Sequence, residues 1–343
     1  MSTVLSVLRR APRQLMFWLI VAVFAVGALR AFFPLEGFDE VRTGEVPLEV
    51  AGSADGVWVL NYADHTVSLV RTSDQEVLLT TEVGVDVAPA LSANDDGAWL
   101  ILDAGDTIGR VDPSGEIVDR FDVSGTLDDI AQDLAAGPDF VWVTTGEGEQ
   151  MVRIDTTTGE MGDVIDVGEV VVQPQVLGDS LWVYESDGIT EYDNTTGEEL
   201  NKLETPDLRI HDFYATEEAV YVLANVDNFE ETGLVVRIDP VEGQENGRAR
   251  ITDTRPSHIT VADGQVFVTG SSGLLMELTT DPDRPPSLIA TEQVTVSTKD
   301  LRGVTVLDEI VWVADGTNGI VHQPVDGVEG GEDTTDVTTP SVG

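Results

Sequence analysis

Short apolar runs alternate with polar turns along most of this chain, and one arrangement of them recurs. An aromatic residue flanked by two aliphatic ones appears seven times: Val57-Trp58-Val59, Ala98-Trp99-Leu100, Val141-Trp142-Val143, Leu181-Trp182-Val183, Val220-Tyr221-Val222, Val266-Phe267-Val268 and Val311-Trp312-Val313. Successive aromatics lie 41, 43, 40, 39, 46 and 45 residues apart. Each triplet follows a turn signal such as Asp95-Asp96-Gly97 or Ala262-Asp263-Gly264, and an earlier apolar run such as Ile259-Thr260-Val261 precedes that turn. Strand, tight turn and strand therefore form a repeating hairpin.

A second hairpin follows each triplet. Its clearest form is Arg153-Ile154-Asp155-Thr156-Thr157-Thr158-Gly159-Glu160, repeated around Asp112, Asp193 and Asp239. The aspartate can accept amide hydrogens of its own turn, and the glycine takes the positive φ that ends it, so these residues read as turn chemistry. Four short strands per repeat of about 42 residues, with no helical period among them, are the pattern of a β-propeller blade. The fold class expected is an all-β, seven-bladed β-propeller spanning residues 40–328. The last repeat supplies three strands, near 304–307, 310–314 and 319–323. Residues 40–46 can supply the fourth and close the ring, with 325–328 as a competing choice.

One segment breaks the alternation. Residues 15–33 read LMFWLIVAVFAVGALRAFF, with Arg30 the lone charge. At about 1.5 Å per residue a helix of this length nearly spans a membrane's hydrocarbon core. Arg9, Arg10 and Arg13 precede it, and Glu36, Asp39 and Glu40 follow. The positive-inside rule then predicts a cytoplasmic N-terminus (1–14), an N-terminal transmembrane helix as anchor (15–35), a linker (36–39) and an extracytoplasmic propeller. A cleaved signal peptide is the competing reading, although the run lacks a good small-x-small cleavage site, and it also exports the rest of the chain. Residues 329–343 are acidic, threonine-rich and nearly free of large apolar residues, which predicts a disordered tail.

Composition narrows the chemistry. The 343 residues carry 63 acidic against 18 basic side chains, a formal charge of −45, and no cysteine. Such a surface repels phosphates, so no nucleic-acid partner is expected. Disulfides and cysteine metal sites are excluded. The Asp-rich, Lys-poor balance is similar to that of halophilic proteins. His65 and His322 show no metal-ligand spacing and read as surface residues, and Asp-rich turns such as 103–106 and 315–319 do not complete an EF-hand loop. No cofactor fingerprint is present, and neither a cofactor nor a metal is expected. The sequon Asn194-Thr195-Thr196 falls in an exposed turn, where the turn role is favoured over glycosylation.

Candidate ligand-binding residues come from the loops 9 to 13 residues before each marker aromatic, which lead into the innermost strand of a blade. In the first four repeats these positions are mostly neutral: Val46 and Leu48, Val87 and Pro89, Ile130 and Gln132, Val170 and Gln173. In the last three they are Arg209 and His211, Arg255 and His258, Lys299 and Arg302. Six cationic or imidazole groups at equivalent places in consecutive blades can converge on one side of the channel mouth and bind an anionic small molecule or a peptide carboxylate. The alternative is local pairing with Asp207, Asp212, Asp253 and Asp300.

The repeat G-x-W-V followed by R-I-D-x-x-T-G-E resembles the propeller superfamily that includes streptogramin B lyase-like, YVTN-repeat and quinoprotein-like proteins. Lyase-like proteins commonly show W-F-T-E. Here Trp58-Val59-Leu60-Asn61 and Trp142-Val143-Thr144-Thr145 lack the glutamate. The lyase resemblance implies histidine and a divalent metal near the channel, and His211 and His258 stand at plausible places. Quinoprotein repeats end in tryptophan, whereas Asp163 and Asn201 stand there in this chain. The expected function is a membrane-tethered binding scaffold for a protein partner or anionic small ligand. A lyase- or hydrolase-type enzyme using the basic and histidine residues at the channel mouth is the alternative.

Overall fold

The computed structural model describes residues 38–145, 150–167, 172–205, 208–225, 232–252, 254–280, 288–297, 300–317 and 319–324. The predicted anchor, the tail at 329–343, the competing closing strand at 325–328 and Lys299 lie outside the described residues. Among the described residues no helix is long and apolar enough to cross a membrane. The helical content there is one 3-10 turn, Asp103–Gly105.

Seven four-stranded antiparallel sheets account for the described strands. Blade 1 is Pro47–Ser53, Gly56–Asn61, Thr66–Val70 and Val77–Glu82, from the innermost strand outward. Blades 2 to 6 repeat it, with innermost strands Leu91–Asn94, Ala131–Ala136, Val172–Leu177, Arg209–Ala215 and Pro256–Ala262. Blade 7 is composite. Its three inner strands are Val304–Leu307, Ile310–Ala314 and Gly319–Pro324, and its outermost strand is Asp39–Arg42 from the other end of the chain. The N-terminal choice for ring closure is the one adopted.

The marker aromatics explain why the sheets stack. All seven are at most 4% exposed. Within a strand, side chains alternate between faces. Trp58 therefore packs forward with Ala98 and Leu100 of blade 2, while its neighbours Val57 and Val59 pack backward with Trp312 of blade 7. Trp99 faces Val141 and Val143, Trp142 faces Leu181 and Val183, and Trp182 faces Val220 and Val222 in the same way. Burying a side chain of 150–250 Å² is worth about 4–6 kcal/mol of gross transfer free energy, so each blade depends on the next.

The turn aspartates act as expected. Asp155 Oδ1 accepts the amides of Thr157 and Thr158, Asp193 Oδ1 those of Thr195 and Thr196, and Asp239 Oδ1 those of Val241 and Glu242. Gly159, Gly197 and Gly243 close these turns at φ between 66° and 72°. Two expectations need correction. His322 is not a surface residue: it is 6% exposed and lies against Trp312, with ring centroids 4.7 Å apart. Asn194 is buried rather than exposed, because its Oδ1 accepts the Trp142 indole N–H at 2.7 Å.

Strand direction defines two faces. Innermost strands begin, and second strands end, on what we call the upper face; Pro47 pairs there with Asn61. The lower face carries the Asp–Gly turns. Val41 abuts Gly319, the upper-face end of its neighbouring strand, so Asp39 lies at the lower-face end.

Candidate functional site

The innermost strands converge on a central channel, and the register of each blade decides what enters it. In blades 1, 3, 5 and 6 a bulge interrupts this strand: the pairing skips Leu48, Gln132, His211 and Ser257. One extra residue shifts the in–out alternation. The residue after the bulge, nine before the marker aromatic, is Glu49, Asp133, Asp212 and His258 respectively. All four line a cavity of about 470 Å³ at the channel mouth, together with His211, Gln173 and Pro89.

The carboxylates differ in how they are held. Asp133 Oδ1 accepts the Leu134 amide and Oδ2 the Gln173 amide of blade 4, at 2.9 and 2.8 Å. Gln173 presents that amide from a left-handed backbone, φ 56°, which is unusual for a side-chain-bearing residue. Asp212 accepts the Phe213 amide and, across the blade boundary, the Ile259 amide at 2.9 Å. Asp133 and Asp212 thus staple neighbouring blades. Among the described residues Glu49 has no such bonds; it faces His258, Nε2 to Oε1 at 3.9 Å, while His258 Nδ1 lies 3.5 Å from Asp212.

Protonation follows from this packing. Burial, reinforced by Asp133 and Asp212, pushes the Glu49 carboxyl up to about 7 against the opposing pull of His258 and Arg302. Burial likewise raises Asp133 to about 6, with the Leu134 and Gln173 amides pulling it down. Burial by itself would lower His258, but Glu49 and Asp212 outweigh it and raise the imidazole to about 9. His211 is lowered by burial, and the charges of His258 and Arg255 lower it further.

The structure brings two of the sequence-derived candidates, His211 and His258, into the cavity. Arg209, Arg255 and Arg302 are exposed and do not line it. Arg255 is close enough to act on His211, and Arg302 on Glu49 and His258. Arg302 also faces Asp300 at 3.7 Å, and Asp212, expected to pair locally, instead faces His258 in the next blade. The lining contributed by the first four repeats is mostly neutral, but it includes two acids, Glu49 and Asp133. Sequence reasoning missed them because it sampled a window of positions. A fixed count of nine before each marker yields Glu49, Asp133, Asp212 and His258 together.

The donor set does not suit the divalent metal that the lyase resemblance implies. Asp133 and Asp212 spend their oxygens on backbone amides, and among the described residues no three His, Asp or Glu side chains come together to hold a metal ion.

Beside the mouth, the upper face of blades 1 to 3 carries exposed apolar side chains. Val46, Tyr62, Val85 and Ile130 are 38%, 39%, 71% and 53% exposed. A groove of about 550 Å³ runs among Tyr62, Val85 and Ile130.

No protein-family model and no curated protein matches the chain. Solved structures do. The chain is similar to a streptogramin B lyase structure at 18% identity and a TM-score of 0.66, covering 83% of this chain and 96% of the other. It is similar to BamB from Moraxella catarrhalis at 17% identity and TM-score 0.55, covering 81% and 86%. It is also similar to a chain of a mitotic checkpoint complex at 8% identity and TM-score 0.68, covering 85% and 91%. Likeness at these identities establishes the seven-bladed propeller fold.

Proposed function

We propose that this chain is a membrane-tethered, extracytoplasmic propeller scaffold that binds a protein partner on its upper face. The observation that carries the reading is the gathering of Val46, Tyr62, Val85 and Ile130 on the upper face of an acidic chain, whereas the other large apolar side chains exposed among the described residues, Leu78, Val118, Leu200, Val241 and Ile289, are scattered one to a blade. Contiguous exposed apolar surface of this kind marks interaction sites. One structural neighbour is itself a subunit of a multiprotein complex. The tether is the apolar run 15–33.

Site-specific photo-crosslinking tests the scaffold. A benzophenone side chain at Val85 or Ile130 is expected to give discrete adducts in cells, whereas one at Val241, 88% exposed on the lower face, is not. Adducts of equal intensity from both faces, or from neither, would remove the proposal. The tether is tested by alkaline extraction of membranes. The full chain should stay in the membrane pellet, and a chain lacking residues 1–33 should not enter it.

The enzyme reading is favoured by one observation: a carboxyl near neutrality, Glu49, faces a protonated His258 in the channel mouth. A lyase or hydrolase could use Glu49 as general base and His258 as general acid. Turnover abolished by Glu49→Gln with binding retained would favour it over the scaffold.

A further inference from the structure

The apolar groove and the channel mouth share two wall residues, Pro89 and Gln132, so they form one continuous depression on the upper face. Asp86 and Asp129 stand in the groove wall, and Glu49, Asp133 and Asp212 in the mouth. Among the described residues no lysine or arginine lines either part. We infer that this depression takes one extended segment of the partner, with a large apolar side chain in the groove and a nearby lysine or arginine side chain in the mouth. The inference rests on the partner-binding reading above and narrows it to a class of peptide.

Hydrogen-bond accounting favours a cation. The amide donors beside the mouth are spent on Asp133 and Asp212. Glu49 remains, since its 3.9 Å approach to His258 is longer than a hydrogen bond. The Gln173 side-chain oxygen also lacks a hydrogen-bond partner. The one cation in the lining, the His258 imidazolium, is set against the Glu49, Asp133 and Asp212 carboxylates and the acids of the groove, so a ligand that brings N–H donors and positive charge fits best. A peptide carboxylate would meet Glu49 instead of a guanidinium, because the arginines of blades 5 to 7 stand outside the cavity. A nucleic acid or anionic lipid would meet five carboxylates. The mouth is of a size that takes one long side chain, and the groove supplies the apolar burial that a lone ion pair lacks.

The test is a random heptapeptide library panned on the full-length chain in detergent micelles. Enriched sequences should pair a large apolar residue with a lysine or arginine. A synthetic peptide from that set should lose about tenfold in affinity on Glu49→Gln, and as much on Ile130→Asp, while Val241→Asp leaves it unchanged. A single cooperative thermal transition and wild-type elution on size-exclusion chromatography confirm that the variants fold. Enrichment of acidic peptides, absence of any enrichment, or affinity indifferent to Glu49→Gln would each overturn the inference. Crosslinks from Val85 that persist alongside such a result leave the scaffold standing and remove only the basic-peptide preference.

Discussion

Asn194, in the turn of blade 4, accepts the indole N–H of Trp142 in blade 3 at 2.7 Å, and both side chains are buried. A sequon asparagine is thus committed to fixing a marker tryptophan. Attaching a glycan would break that bond and force the amide out of the core. Expressed in a glycosylating host, the chain should show no mass shift after glycosidase treatment. Asn194→Ala should cost about 1–3 kcal/mol in denaturant unfolding, because the indole N–H is left buried without a partner. Asn194→Asp, which keeps an acceptor, should cost less.

The tryptophans are equivalent in position but not in bonding. Trp58 donates to Ser53 and Trp99 to Asn94, whereas the Trp312 indole N–H has no hydrogen-bond partner among the described residues. Replacement by phenylalanine removes similar volume at each site. Trp312→Phe should therefore destabilise less than Trp142→Phe, by about 1 kcal/mol or more. Equal unfolding midpoints for the two variants would contradict this.

Ring closure depends on Asp39–Arg42, joined to the body by a buried polar lock. Thr43 Oγ1 donates to Asn61 Oδ1 at 2.8 Å, and Ser68 Oγ donates to the Thr43 carbonyl. Deleting residues 1–37 should leave one cooperative thermal transition. Deleting residues 1–42 exposes the edge of Gly319–Pro324 and the apolar side of blade 7, and should give a lower, broadened transition and aggregation by size-exclusion chromatography.

The channel mouth makes stability fall with rising pH. In the fold Glu49 titrates near 7 against an ordinary 4.5, Asp133 near 6 against 3.8, and His258 near 9 against 6.5. All three hold protons in the folded chain that the unfolded chain gives up, so stability decreases as pH rises. The carboxyl penalties develop between about 4 and 7, and the His258 contribution is complete below 6.5 and lost through 9. The turn aspartates 155, 193 and 239, held low by backbone hydrogen bonds, act in the opposite sense in more acidic solution. The melting temperature should drop from pH 5 to pH 9. Glu49→Gln should flatten the fall between 5 and 7, and His258 should then titrate lower by NMR. Parallel melting profiles for variant and wild type would contradict the assignment.

The architecture was legible because its cause is local and repeated. Seven aromatics near a spacing of 42 residues must bury equivalent faces, and the Asp–Gly turns mark where each hairpin reverses. The N-terminal strand was legible as the piece the last repeat lacks. The mouth was harder to read. Whether Glu49 or Leu48 faces inward depends on a bulge that leaves no composition signal, and one residue of register exchanges the two faces. Counted over a window, the basic residues of the last three repeats stood out. Counted at one register, the acids do. The depth of Asn194 was hidden too, since its partner lies 52 residues away.

The strand that completes blade 7 is also the point where any tether pulls. A pull on Asp39 runs along Asp39–Arg42, beside its antiparallel neighbour Gly319–Pro324 and perpendicular to the backbone hydrogen bonds between them. Such a load shears those bonds together instead of peeling them one by one. The ring is therefore closed by a strand whose bonds to the rest of blade 7 must give way together under a pull along its own axis.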